Sequence, residues 1–214
     1  MRYTLKILKI EQCADRVKTF SLEKPNNLKF LPGHCCMLSL PKEKLEKESR
    51  PFTFTSIPSD TYLEFTIKSY PGGITELIHS LKVGDSLVLA DIFSSHRYTK
   101  PGVFIAAGTG ITPFLSIFRQ LKKDNSNDKN LLIYTNNTQK DIIRENELKS
   151  LLNNNCIFKL TKENKPGYLS ERIDKSFLLK HITNFNQQFY VCGPEQFEKE
   201  IKSIIKEIKE EKGL

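Results

Sequence analysis

The stretch Lys100-Pro-Gly-Val-Phe-Ile-Ala-Ala-Gly-Thr-Gly-Ile-Thr-Pro113 separates two kinds of sequence pattern. Val103–Ala107 is a continuous apolar run, the mark of a strand buried on both faces. It ends in Gly108-Thr-Gly110, where glycine allows a tight turn and lets a ligand approach the backbone. Apolar residues then recur at helical spacing: Phe114, Leu115, Ile117, Phe118 and Leu121. Thr112 is expected as the N-cap of that helix and Pro113 as its first residue. Strand, glycine turn and helix start, in that order, offer N–H groups and a positive dipole end to a diphosphate. The same order also describes a plain strand-to-helix turn. It is neither a Walker loop nor Gly-x-Gly-x-x-Gly, because Pro113 takes the third glycine's place.

Downstream the alternation continues. Strands are expected at Leu131–Thr135, Cys156–Leu160 and Phe189–Cys192. Helices are expected near Arg144–Leu152 and Glu171–Lys180, and at the end, where Ile201, Ile204, Ile205 and Ile208 share one face. Strands alternating with helices imply a doubly wound parallel α/β sheet, whose ligands sit at the carboxyl ends of the strands.

Upstream the period is two. In Thr61–Lys68, Leu63, Phe65 and Ile67 alternate with Glu64, Thr66 and Lys68, which reads as a half-buried strand. Further strands are expected at Tyr3–Ile10, Arg16–Leu22, Cys35–Leu40, Phe52–Ser56 and Ser86–Ala90, with one short helix at Thr75–Leu81. Pro32-Gly33, Pro71-Gly72-Gly73 and Gly84-Asp85 punctuate them. Short strands so spaced suggest a small antiparallel β-barrel. Two domains follow, residues 1–99 and 100–214.

Composition narrows the classes. Of 214 residues, 38% are hydrophobic and 27% charged, which suits a globular chain and not a disordered one. No apolar run is long enough to cross a bilayer. Lys6 and Lys9 interrupt the N-terminal apolar residues, so no signal peptide is expected and the default location is cytoplasmic. The net charge is +8. Basic and acidic residues are interspersed, without the blocks or aromatic clusters of a nucleic-acid binder. The excess suits plain solubility or an acidic partner, whether an anionic membrane surface or an acidic protein. Five cysteines, Cys13, Cys35, Cys36, Cys156 and Cys192, lack Cys-x-x-Cys spacing, so no metal site is expected. They read as reduced, mostly buried thiols. The four histidines do not cluster, and His79 is expected to be structural.

Three more segments carry donors at places where ligands bind. Arg50-Pro-Phe-Thr53 combines a forked phosphate donor, a flat ring and a hydroxyl. Gly72-Gly-Ile-Thr75 repeats the glycine, hydroxyl, helix-start order. Cys192-Gly-Pro194 ends one expected strand and opens the last helix. Taken singly, these are also an edge strand, a Gly-Gly turn and a buried thiol.

Taken together and in this order, the four segments resemble the ferredoxin–NADP reductase superfamily of flavoproteins, over essentially the whole chain. The resemblance implies a flavin-binding FR-type barrel followed by an NAD(P)-binding domain. It implies that Arg50 pairs with the flavin phosphate and that Pro51 and Phe52 line the flavin, with Thr53 near its N5. Thr66, Ile67 and Lys68 would offer backbone groups. Gly73, Ile74 and Thr75 would hold the diphosphate. Gly108, Thr109, Gly110, Ile111 and Thr112 would cradle the nicotinamide nucleotide's diphosphate. Cys192 would flank the nicotinamide, with Gly193 and Pro194 leaving room. Thr53 and Cys192 are then the residues at the reacting atoms. The implied reaction passes hydride from NADH or NADPH to FAD (or FMN), in a cleft between the domains. Electrons then go to a separate, acidic acceptor such as ferredoxin or flavodoxin.

Phe52 stands where the family commonly has Tyr, and Thr53 where it has Ser. No Arg stands near Asn137 to take an NADP 2′-phosphate, which leaves Lys140 and Arg144 as substitutes. Tyr70 is a candidate to stack an adenine. A second expectation is an electron-transfer subunit or binding module that works only with its partner protein.

Overall fold

In the computed structural model, which describes residues 2–41, 48–126 and 129–214, the alternating half forms six antiparallel strands and one short helix. These are β1 (Arg2–Ala14), β2 (Val17–Glu23), β3 (His34–Ser39), β4 (Arg50–Thr53), β5 (Tyr62–Lys68), α1 (Ile74–Ser80) and β6 (Ser86–Ser94). The sheet order is β4-β3-β6-β1-β2-β5. Its two ends are joined by a bridge between Phe54 and Phe65 and by the Thr55 N–H, which donates to the Glu64 carbonyl at 2.8 Å. That closure makes the sheet a barrel and removes its open edges. The barrel is filled by the inward residues of each strand, among them Leu5, Phe20, Leu38, Phe54, Leu63, Phe65 and Leu87.

The rest of the chain alternates. It comprises β7 (Gly102–Ala107), a 3-10 turn (Gly108–Ile111), α2 (Thr112–Lys123), β8 (Leu131–Asn136), α3 (Glu145–Leu151), β9 (Cys156–Leu160), α4 (Lys175–His181), β10 (Gln188–Cys192) and α5 (Glu195–Glu211). The four strands are parallel in the order β10-β7-β8-β9. Val103, Ile105 and Ile133 pack on one face against Phe177 and Leu178 of α4 and Ile201, Ile205 and Ile208 of α5. The sheet is thus the doubly wound one that the strand–helix alternation implies. No helix among the described residues is long and apolar enough to cross a membrane.

Two compact units result: residues 1–98 with 112–123, and residues 99–111 with 124–214. Helix α2 belongs to the first unit although it follows β7 in the chain. There Ser116 Oγ accepts from the Gly33 N–H at 2.9 Å. Gly33 leaves no room for a side chain at that place, since a Cβ would lie 1.9 Å from the His96 carbonyl oxygen.

Several sequence expectations need correction. β5 is not half-buried: Glu64 and Thr66 are only 5% and 6% exposed. The reason is a helix residue 55 positions away. Arg119 of α2 donates to Glu64 Oε1 and to the Thr55 carbonyl, each at 2.6 Å. Thr112 is the first residue of α2 rather than its N-cap, because the 3-10 turn 108–111 already supplies the preceding helical turn. Pro113 accordingly comes second. Helix α4 starts at Lys175 rather than near Glu171. Asp174 caps it by accepting from the Phe177 N–H at 2.8 Å, and Leu169 is extended beside β9. Helix α3 begins one residue late because Arg144 is left-handed, at φ +56°.

Candidate functional site

In the barrel unit, β4 carries Arg50, Pro51, Phe52 and Thr53 opposite Leu38, Met37, Cys36 and Cys35 of β3. Pro51 lacks an N–H, which suits it to the end of the sheet order. Arg50 is exposed, and its Nη1 donates to the Ser49 carbonyl at 3.0 Å. Phe52 is half-buried, with its ring against the barrel core. Thr53 is half-buried and precedes the Phe54–Phe65 closure. The closure brings the end of β4 beside β5 and so beside Thr66, Ile67 and Lys68.

The side chains of Thr66 and Ile67 are buried, so only their backbone could serve a ligand. Thr66 Oγ1 lies 3.3 Å from Thr55 Oγ1 and 3.4 Å from Thr19 Oγ1. The Ile67 carbonyl already accepts from His79 Nε2 at 2.8 Å. Burial lowers the His79 pKa, the Ile67 hydrogen bond opposes that, and Lys18 adds a smaller lowering. His79 is therefore a neutral structural clasp between α1 and β5.

Beyond β5, Thr75 Oγ1 accepts from the Tyr70 N–H at 3.0 Å and pins the turn that leads to Gly73 and Ile74. Tyr70 itself is 53% exposed. The Gly72 N–H donates to Glu76 Oε2 at 2.9 Å, so an acceptor oxygen already sits where a phosphate oxygen is expected. A Cβ added at Gly72 would meet nothing within 4 Å, and its φ of +74° is one that glycine tolerates best. Open space beside a glycine turn of this kind fits a phosphate-bearing group.

In the second unit, β7 and β10 are parallel neighbours with Ala106 opposite Cys192. Their carboxyl ends therefore place Gly108, Thr109, Gly110 and Ile111 beside Cys192, Gly193 and Pro194. The two turns touch backbone to backbone. A Cβ at Gly110 would stand 2.2 Å from the Cys192 carbonyl oxygen and 2.7 Å from the Gly193 nitrogen. A Cβ at Gly193 would stand 2.8 Å from the Phe197 ring and 3.0 Å from Ala107 Cβ. Gly108 is different: its φ is +54° and the space beside it is empty. Tyr134, fully buried on β8, donates its hydroxyl to the Gly108 carbonyl at 2.8 Å and holds the turn from below. Nothing in the sequence distinguishes that tyrosine from an ordinary core residue.

Cys192 is half-buried, and its pKa is pushed up to about 12 by burial, with Glu198 adding and Lys202 opposing. It is a neutral thiol at any physiological pH. The Gly193 N–H donates to Glu198 Oε1 at 3.2 Å, and Lys202 holds the other oxygen of Glu198 at 2.6 Å. We expect native Cys192 to resist iodoacetamide up to about pH 9, as a protonated thiol does. Its folded pKa lies above the ordinary value of 9.0. The stability that Cys192 contributes is thus complete below pH 9 and is lost as pH rises toward 12. Alkylation rates and denaturation midpoints measured across that range check both statements.

After β8, Asn137 Oδ1 accepts from Thr161 Oγ1 at 3.1 Å. Lys140 is exposed, and Arg144 lies 3.8 Å from Glu147. All five cysteines are free; Cys35 and Cys36 are buried on β3 and have raised pKa values, chiefly through desolvation.

Comparison with known proteins agrees with this geometry. A family model described as an FAD-binding domain matches residues 2–133, and one described as an oxidoreductase NAD-binding domain matches residues 104–203. NADH-cytochrome b5 reductase 2 of Coccidioides immitis is 29% identical over 89% of this chain and 65% of its own length. The toluate 1,2-dioxygenase electron transfer component of Pseudomonas putida is 25% identical over 90% of this chain and 60% of its own. The chain thus spans less than two thirds of either protein. The solved FAD/NAD-binding domain of nitric oxide dioxygenase from Vibrio cholerae superposes with a TM-score of 0.84, at 22% identity, over 96% of this chain and 92% of that one. With a closed antiparallel barrel, a parallel nucleotide sheet and matches to both domain models, the chain belongs to the FAD- and NAD-binding oxidoreductases of the ferredoxin–NADP reductase superfamily.

Proposed function

We propose that the chain is an NAD(P)H-dependent flavoprotein reductase, with residues 1–99 as its FAD-binding FR-type domain and 100–214 as its NAD(P)-binding domain. The observation that carries this is the pair of glycine turns packed at the carboxyl ends of β7 and β10, with open space beside Gly108. When bound, FAD supplies an acceptor for the nicotinamide hydride and a store of electrons for a second molecule.

The chain's own residues bind and orient. Arg50, exposed at the head of β4 with one N–H on the Ser49 carbonyl, has further guanidinium donors to fork onto the flavin phosphate. Pro51 and the half-buried Phe52 present a rigid apolar edge. Thr53, half-buried at the end of β4, would offer its hydroxyl to the flavin ring. The backbone of Thr66, Ile67 and Lys68, and Gly73, Ile74 and Thr75 in the turn, hold the rest of FAD. Gly108, Thr109, Gly110, Ile111 and Thr112 take the nucleotide diphosphate. Cys192, with Gly193 and Pro194, borders the nicotinamide. Its neutral thiol acts by shape and by excluding water, not as a base.

The acceptor is a separate electron carrier, and the net charge of +8 supports an acidic one. Ferredoxin and flavodoxin fit that chemistry, as does a haem protein of the kind named in the fungal relative. The dioxygenase relative, named an electron transfer component, supports a second reading: a subunit that turns over only with its oxygenase partner. The proposed location is cytoplasmic.

Stopped-flow reduction of the flavin by NADH and by NADPH tests the reading. Reduction by either supports it. A purified protein that takes up neither FAD nor FMN overturns it. Turnover with ferricyanide alone separates an autonomous reductase from the subunit reading. Arg50→Ala is expected to weaken flavin binding about 10- to 100-fold, the worth of a charge-assisted hydrogen bond, in a fluorescence titration. Cys192→Ala is expected to slow flavin reduction while flavin stays bound; an unchanged rate removes Cys192 from the site.

A further inference from the structure

In the second unit, the glycine turn after β7 is tied to the core by one buried hydroxyl. Tyr134 of β8 is fully buried. Its register partners are Ala106 of β7 and Phe158 of β9, and its ring lies 6.2 Å from that of Phe158. Ala106 stands two residues before Gly108, so the tyrosine reaches the turn along the face of the sheet. A phenylalanine would fill the same core volume. The hydroxyl therefore needs its own reason, because a buried hydroxyl is costly unless it is hydrogen-bonded.

It makes two bonds. The hydroxyl donates to the Gly108 carbonyl at 2.8 Å and accepts from the Ile143 N–H at 3.4 Å. One side chain thus joins the turn after β7 to the segment after β8. That segment has a shape of its own, since the Thr138 N–H and hydroxyl both donate to Asp141 Oδ2, at 3.1 and 2.8 Å.

Gly108 is where such a tie has an effect. Its φ is +54°, and a Cβ built there would meet nothing within 4 Å. Glycine takes left- and right-handed conformations about equally, so its own backbone does not fix the direction of the peptide that follows. That peptide is planar and trans, so the Gly108 carbonyl and the Thr109 N–H point opposite ways. With the carbonyl tied to Tyr134, the N–H is turned away from the tyrosine. The reverse orientation would present a carbonyl oxygen to an approaching anion, where helix starts that bind anions present N–H groups.

We propose that Tyr134 is a positioning residue for the nicotinamide nucleotide: its hydroxyl fixes the Gly108–Thr109 peptide with the N–H toward the diphosphate. The role rests on the NAD(P)H reading above and deepens it. Tyr134 acts through Gly108, and the ligand meets the turn alone.

The test uses the full chain loaded with FAD. NAD+ binding is measured by calorimetric titration. Flavin reduction is followed with NADH and with reduced nicotinamide riboside, which carries no diphosphate. We expect Tyr134→Phe to weaken NAD+ binding about 3- to 10-fold, the worth of one neutral hydrogen bond. The rate at saturating NADH and the rate with the riboside should both stay as in the parent. Equal NAD+ binding in Tyr134→Phe, or equal losses with the two hydride donors, overturns the role. If Tyr134→Phe does not fold, amide NMR of the parent decides: the Thr109 signal should shift with NAD+ and not with adenosine, and an unshifted signal overturns the role. A parent chain that binds neither NAD+ nor NADP+ overturns the proposed function and this role with it. A parent that binds NAD+ no better than Tyr134→Phe overturns this role alone.

Discussion

Arg119→Ala is expected to destabilise the barrel unit by about 3–5 kcal/mol, the usual cost of removing one partner from a buried ion pair. The Arg119 and Glu64 side chains are 16% and 7% exposed, so solvent screens them little. Without Arg119, the Glu64 carboxylate loses its buried cation and keeps the Thr55 hydroxyl, which donates to it at 2.7 Å. The Thr55 carbonyl loses its donor as well. Glu64→Gln should cost less, because the amide oxygen can still accept from Arg119 and the charge left without its partner is on the more exposed side chain of the two. Replacing both partners together, Arg119→Met with Glu64→Leu, should recover most of the loss, since paired apolar residues often do as well as a buried pair. Urea denaturation of the four proteins checks this. A loss below about 1 kcal/mol for Arg119→Ala would mean that water replaces the guanidinium and that the pair is a surface bridge in effect.

Gly110→Ala carries the second large effect. The obstacle is space and not backbone angle, since Gly110 has no positive φ. The new methyl group would press on the Cys192 carbonyl group and the Gly193 nitrogen, all backbone, which cannot rotate away. Overpacking of this kind costs about 1–3 kcal/mol and often more where backbone must move. It also forces the β7 turn away from the β10 turn. We therefore expect both a lowered midpoint of denaturation and loss of NAD+ binding. Gly108→Ala is the control. Its methyl would enter open space, so the expected stability cost is only that of a left-handed alanine, about 1–2 kcal/mol. If Gly110→Ala is as stable as the parent and binds NAD+ equally, the close contact of the two turns is not what the glycines serve.

Much of the fold was legible in the sequence because its signals are local. Leu63, Phe65 and Ile67 alternate, and so do the strands and helices after Gly102; each pattern needs no more than a dozen residues to be read. The glycine turns were legible for the same reason. Their partnership was not. That Gly110 needs to be glycine because of Cys192 is visible only when β7 and β10 lie side by side, 82 positions apart in the chain. The Thr112 cap failed because a 3-10 turn and a capping residue leave nearly the same local pattern. The buried state of Glu64 failed because period-two alternation reports polarity and not what covers it.

By itself, then, the sequence determined the two-part architecture, the order of the elements and the four segments that mark a flavin and nucleotide oxidoreductase. Periodicity and turn chemistry act between near neighbours, and near neighbours are what a sequence displays. The tertiary structure alone decided the rest. It set the closure of the barrel at Phe54 and Phe65, the Arg119–Glu64 pair, and the protonated state of Cys192. It also set the Tyr134 hydroxyl under the Gly108 carbonyl rather than in water. Each depends on which distant residue excludes water from a polar group, and burial is a property of the assembled fold.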